Sequence, residues 1–117
     1  MHAGDTVPLI DAEASIHDTI MEMTAKRLGL VGVTDGDGRL VGVITDGDLR
    51  RHLTPELLAE AVETVMTPTP RSIRPNALAA EALGFMNAEA LTVLFVVEGG
   101  RPIGILNVHD CLRAGVR

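Results

Sequence analysis

Gly38-Arg39-Leu40-Val41-Gly42-Val43-Ile44-Thr45-Asp46-Gly47-Asp48-Leu49-Arg50-Arg51 decides how this chain is read, because a weaker copy returns as Gly100-Arg101-Pro102-Ile103-Gly104-Ile105-Leu106-Asn107-Val108-His109-Asp110-Cys111-Leu112-Arg113. Gly38 and Gly100 open the two copies, a shift of 62 (100 minus 38). In each, apolar residues surround a central glycine, and polar residues able to hydrogen-bond then precede a short helical segment. Both copies read as strand, polar turn and helix start. Function is expected at that turn.

Working outward from the first copy, Val7-Pro8-Leu9-Ile10 is a short extended piece, with proline where its missing donor does least harm. Ser15 is a helix N-cap followed by Asp18, and Ile16, Ile20 and Met23 repeat at helical spacing, which predicts a helix to about Arg27 that stops near Gly29. Leu30, Val31 and Val33 start a second strand, and Asp35-Gly36-Asp37-Gly38 turns it into a third, Leu40 to Ile44. A second helix is expected from about Asp46 to Leu53. Thr54-Pro55-Glu56 supplies a cap and a proline at the first helical position, predicting a short acidic helix through Leu57, Leu58, Ala61 and Val62.

Val65-Met66-Thr67-Pro68-Thr69-Pro70 breaks regular structure and begins the unit again, Pro70 answering Pro8 at the same shift of 62 (70 minus 8). Leu78, Ala82 and Phe85 then take the places of Ile16, Ile20 and Met23, with Pro75 or Asn76 opening the helix. Thr92 to Val97 is a nearly all-apolar strand, Glu98-Gly99-Gly100-Arg101 turns it into Pro102 to Leu106, and a last helix is expected from Val108 to about Ala114. The fold class is therefore α/β: a first unit at 1-53, a helical connector at 54-65 and a second unit at 66-117. Each unit reads β-α-β-β-α and is too small to bury its sheet alone, so two copies sharing one core are expected.

The chain has 117 residues, 46% of them hydrophobic, enough for one core and too few for two large independent domains. No apolar run approaches the roughly 20 residues that cross a bilayer, and Met1-His2-Ala3-Gly4-Asp5 lacks the regions of a signal peptide, so a soluble, cytoplasmic chain without a membrane partner is expected. Cys111 is the single cysteine and has no disulfide partner within the chain. A net charge of -6, with two Phe, no Trp and no Tyr, disfavours long nucleic acid. A single nucleotide remains compatible, because a few arginines and backbone amides suffice to hold it.

Thr45 and Asp48 follow a strand and open a helix, so a hydroxyl and a carboxylate three residues apart can face one small ligand. The alternative is plain helix capping by Thr45 and Asp46, both good caps whether or not a ligand exists; the two readings are compatible. In the second copy Asn107 replaces Thr45, Val108-His109 replace Asp46-Gly47, and Asp110 keeps the place of Asp48. A site there is weakened or altered, and His109 either donates to a phosphate or carboxylate or merely caps a helix. The aspartates around Asp35 fail the calcium-loop pattern, since Arg39 occupies the third ligand position and no Glu stands at the twelfth. His2, His17, His52 and His109 lack zinc spacing, and no Ser or Cys sits in a nucleophile motif. Neither a metal nor a catalytic residue is expected.

The order of elements, the doubled unit and Gly42-Val43-Ile44-Thr45-Asp46-Gly47-Asp48-Leu49 resemble a tandem CBS-domain pair, also called a Bateman module, over essentially the whole chain. More narrowly, Val7-Pro8, the run Val41 to Arg51 and the opening Met1-His2-Ala3-Gly4-Asp5 look like the C-terminal CBS pair of the KpsF/GutQ group of sugar isomerases. That group interconverts arabinose 5-phosphate and ribulose 5-phosphate on the route to Kdo.

The resemblance implies clefts between the units, with Thr45 and Asp48 binding the ribose of a nucleotide. It places Val7, Leu9, Val31, Val33, Arg71, Ser72 and Val93 on strands lining the clefts, although core packing alone explains most of them, and Asn107, His109 and Asp110 at the second site. Arg71 stands at a cleft edge, whereas Arg50, Arg51, Arg74 and Arg113 read as solvated surface. It implies no cofactor, and an effector that is CMP-Kdo acting as end-product inhibitor or, second, AMP or ATP. Homodimers through the CBS pairs are implied too. So is an upstream isomerase domain, with Met1 resembling Met66 as a junction residue and this piece a regulatory fragment without activity. The alternative is a structural dimerisation module that binds no ligand.

Overall fold

The computed structural model describes residues 2–3, 7–68, 72–76, 79–88 and 93–107. In chain order its elements are β1 (His2–Ala3), β2 (Leu9–Asp11), α1 (Ile16–Lys26), β3 (Leu30–Thr34), β4 (Leu40–Thr45) and α2 (Asp46–Arg51), then β5 (Thr67–Pro68), β6 (Ser72–Ile73), α3 (Ala79–Ala88), β7 (Val93–Glu98) and β8 (Arg101–Asn107). Contacts gather them into two units, Pro8–Pro70 and Met1–Val7 with Arg71–Arg117. The first unit holds a sheet ordered β2-β3-β4-β5, the second a sheet ordered β1-β8-β7-β6. In each sheet one pair is parallel and two are antiparallel. This is the α/β architecture the sequence predicts.

In the first unit, α1 starts where Ser15 Oγ accepts the Asp18 N–H at 3.1 Å, relieving one of the donors that an opening helix leaves unpaired. It ends at Arg27, whose left-handed φ of 60° turns its N–H onto the Met23 carbonyl at 2.9 Å. Ile16 and Met23 of α1 pack with Val31, Val33, Ile44, Leu57, Val62 and Val65. Between β3 and β4, Asp35 Oδ1 accepts the N–H groups of Asp37 and Arg39, and Gly38 supplies the positive φ of 81° that closes the turn. In the second unit Ala82 and Met86 of α3 bury against Leu94 of β7.

A uniform shift of 62 does not hold along the whole repeat. Leu9 pairs with Gly32 and Ser72 with Phe95, so β6 and β7 repeat β2 and β3 at a shift of 63 (72 minus 9, 95 minus 32). Thr34 pairs with Leu40 and Val97 with Pro102, so β8 repeats β4 at a shift of 62 (102 minus 40). The dropped residue lies in the hairpin turn, which runs from 35 to 39 in the first unit and from 98 to 101 in the second. The helices follow the larger shift: Thr19 and Met23 are buried in α1, and Ala82 and Met86 in α3. Ala82 and Phe85 therefore do not take the places of Ile20 and Met23. Leu78 lies outside the described residues.

Three further elements differ from expectation. The second helix stops at Arg51 instead of Leu53, with His52 as its C-cap and Leu53 left 75% exposed, because Thr54 precedes Pro55 and is pushed away from helical backbone. The connector is not one helix but two 3-10 turns, Leu57–Ala59 and Val62–Thr64, separated by extended backbone at Glu60 and Ala61. The cause is tertiary: Ile16 N–H donates to the Glu60 carbonyl and Val62 N–H to the Ala14 carbonyl, a bridge that demands extended geometry and seats Leu57 and Val62 in the core. Thr67 and Pro68, expected to be irregular, pair with Val43 and Gly42 as the edge strand β5. The last predicted helix, from Val108, lies outside the described residues.

Candidate functional site

Thr45 ends β4 and is the N-cap of α2, so the β-to-helix change of backbone falls on it. Its Oγ1 accepts the Asp48 N–H at 3.2 Å, and its N–H donates to Asp48 Oδ2 at 3.0 Å, a reciprocal capping box. The Thr45 hydroxyl also lies 3.1 Å from Asp48 Oδ2. The other carboxylate oxygen, Oδ1, takes an ion pair from Arg51 Nη2 and has the Thr67 hydroxyl of β5 at 3.4 Å. Asp48 is 5% exposed, a buried carboxylate held by four donors.

Two glycines shape this corner. Gly29, with φ of 72°, stands where a Cβ would lie 3.3 Å from Asp46 Oδ2, and its carbonyl accepts the Asp46 N–H, joining the start of β3 to the start of α2. At Gly47 a Cβ would lie 3.2 Å from Arg51 Nη1, so the bare backbone leaves room for the guanidinium to fold back toward Asp48.

The remaining predicted site residues are distributed between the units. In the first, Val31 is fully buried on β3 opposite Ile44, and Leu9 opens β2. The Leu9 N–H is engaged by Glu22 Oε2 at 3.3 Å, and that carboxylate also pairs with Lys26 Nζ at 2.8 Å. In the second unit Val7 is buried, Ser72 begins β6, and Val93 pairs with Asn107 across β7 and β8. Arg71, His109 and Asp110 lie outside the described residues. The structure thus joins Thr45 directly to Asp48 and brings in two partners that sequence reasoning missed. Arg51 carried a usable signal in its spacing of three from Asp48; Thr67, remote in sequence, carried none.

Among the described residues no group of three or more His, Cys, Asp or Glu side chains is placed to hold a metal ion. No helix among them is long and apolar enough to cross a membrane. An apolar groove of about 350 Å³ lies in the first unit between Ile20, Leu49, Leu53, Pro55, Leu57 and Leu58, and a more polar one of about 380 Å³ lies in the second beside Arg74, Asn76 and Glu98. Neither is lined by Thr45 or Asp48.

The family model that matches the chain is the CBS domain, at residues 5–55 and again at 62–117. Arabinose 5-phosphate isomerase KdsD of Escherichia coli is 39% identical over 118 residues, which cover 99% of this chain and 36% of that protein. The chain therefore spans about a third of that relative's length. Among solved structures, CBSX2 from Arabidopsis thaliana superposes with a TM-score of 0.85 at 25% identity, covering 98% of this chain and 89% of that one. CBSX2 in complex with AMP superposes with a TM-score of 0.84 at 25% identity, covering 98% and 91%.

Proposed function

The chain belongs to the CBS-domain family, as a tandem pair, and from that premise we propose that it is a regulatory module whose Thr45 and Asp48 hold the ribose of a nucleotide effector. CBS domains are regulatory rather than catalytic modules, and CBSX2, a structural neighbour, binds AMP. The observation that carries the reading is the buried Asp48 carboxylate facing Thr45 at the strand-to-helix turn. A carboxylate accepts from a ribose diol, and a threonine hydroxyl both accepts and donates.

The likeness to KdsD supports the isomerase part of a finer proposal. The effector is CMP-Kdo, with AMP or ATP second, and it acts on an upstream isomerase domain in a longer cytoplasmic protein. Within the duplicated pattern, residues 1-53 and 66-117 are the two repeats and 54-65 the connector. Val7, Leu9, Val31, Arg71, Ser72, Val93, Asn107, His109 and Asp110 complete the ligand surroundings in this proposal, and the module forms homodimers. A ligand-free dimerisation role is the second reading, favoured by the exposed apolar side chains Met21, Leu53 and Leu58.

Thermal shift and calorimetry with CMP-Kdo, CMP, AMP and ATP separate these readings, because a ligand of the native state raises the melting temperature. Asp48→Asn, which keeps the side-chain shape, is expected to weaken nucleotide affinity at least tenfold. A flat response to all four compounds, with a dimer persisting on dilution, would establish the structural role instead.

A further inference from the structure

Asp48 has no acceptor position to spare. An ionised carboxylate offers about four lone-pair directions, and here they meet the Thr45 N–H, the Thr45 hydroxyl, the Arg51 guanidinium and the Thr67 hydroxyl. A ligand hydroxyl can be accepted only if one of these donors leaves. Building on the nucleotide reading above, we propose that the donor that leaves is Arg51, which acts as a gate on the Asp48 carboxylate and sets the affinity for ribose.

The four donors are not equally free to move. The two from Thr45 belong to the capping box that closes the first turn of α2, and withdrawing them strands a backbone N–H in a partly buried place. Thr67, at 3.4 Å, is a long contact fixed by the pairing of β5 with β4, and its removal would leave Oδ1 still covered by the guanidinium. Arg51 differs: its side chain is 67% exposed while that of Asp48 is 6% exposed. Once released, its guanidinium is hydrated immediately, and the side-chain-free Gly47 beside it leaves it room to swing. Arg51 is therefore a positioning residue that competes with the effector for Asp48 Oδ1.

The test uses uncharged nucleosides, so that loss of the arginine charge has no phosphate to act on. Calorimetric titration of adenosine and cytidine should show Arg51→Ala binding about two- to fivefold more tightly than wild type, the modest factor expected when an ion pair with one exposed partner no longer has to be broken. Arg51→Lys should fall between the two. For 2′,3′-dideoxyadenosine, which has no diol for Asp48 to accept, the gain should vanish. Arg51→Gln keeps much of the side-chain stem and serves if the alanine variant does not fold. Equal or weaker nucleoside binding by the variants, with the wild type binding, overturns the gate and leaves the nucleotide reading intact. Absence of binding by wild type and variants alike, to nucleosides and nucleotides, overturns both.

Discussion

Gly42 sits in the middle of β4, opposite Pro68 of β5, and the thioether of Met66 lies across its face. A Cβ built on Gly42 would stand only 2.3 Å from Met66 Sδ, 3.0 Å from Cγ and 3.1 Å from Cε. Gly42→Ala must therefore push the methionine aside. Overpacking of this kind costs about 1–3 kcal/mol, and the pliancy of methionine puts the cost near 2 kcal/mol. The backbone of Gly42 lies outside the left-handed region, so alanine also restricts the unfolded chain and returns about 0.5–1 kcal/mol. The net expectation is a loss of about 1 kcal/mol in urea unfolding, or a melting temperature lower by about 4 °C. In a Met66→Ala background the obstructing atoms are gone, and the same substitution should turn neutral or stabilising by about 0.5 kcal/mol. If Gly42→Ala costs the same with and without Met66, the contact is not why glycine occupies this position.

Arg27 adopts a left-handed φ of 60°, which a side chain makes costly, so Arg27→Gly should stabilise the protein by about 0.5–1 kcal/mol in chemical denaturation. An unchanged or lowered midpoint would show that the arginine side chain contributes more than its backbone costs. Thr45→Ala removes both the cap and the hydroxyl contact to Asp48 and should cost about 1–2 kcal/mol, whereas Thr45→Ser should lose little. Comparable melting temperatures for the alanine and serine variants would contradict the capping argument.

Much of the first unit was legible because its signals are local. Ser15 with Asp18, Asp35 with Gly38, and the glycine, threonine and aspartate of the quoted stretch each specify a cap or turn from a few neighbouring residues. The connector was not legible. Thr54, Pro55 and Glu56 carry a sound helix-start signal, but Ala61 is drawn into extended geometry by Ser15, and nothing near Ala61 in sequence announces that pairing. The offset of the repeat was hidden for a related reason. The stretch that betrays the duplication lies after the turn that lost a residue, so an alignment anchored there misplaces everything before it by one position. That Thr45 and Asp48 lie on one side of the turn followed from their spacing; their direct bond and the occupation of Asp48 by Arg51 and Thr67 needed the folded backbone.

The two shortest strands have the widest consequence. His2–Ala3 stands at the head of the first repeat yet lies along β8, and Thr67–Pro68 at the head of the second yet lies along β4, so each leading strand completes the other repeat's sheet. Cutting the polypeptide in the connector would give each piece a strand it cannot use and withhold the one it requires. Each fragment would carry a bare sheet margin at Gly42 and Val43 or at Gly104 and Ile105, open to whatever extended peptide arrives first. A gene split at the midpoint should therefore yield halves that recover order only when mixed, with aggregation as the penalty for growing either alone.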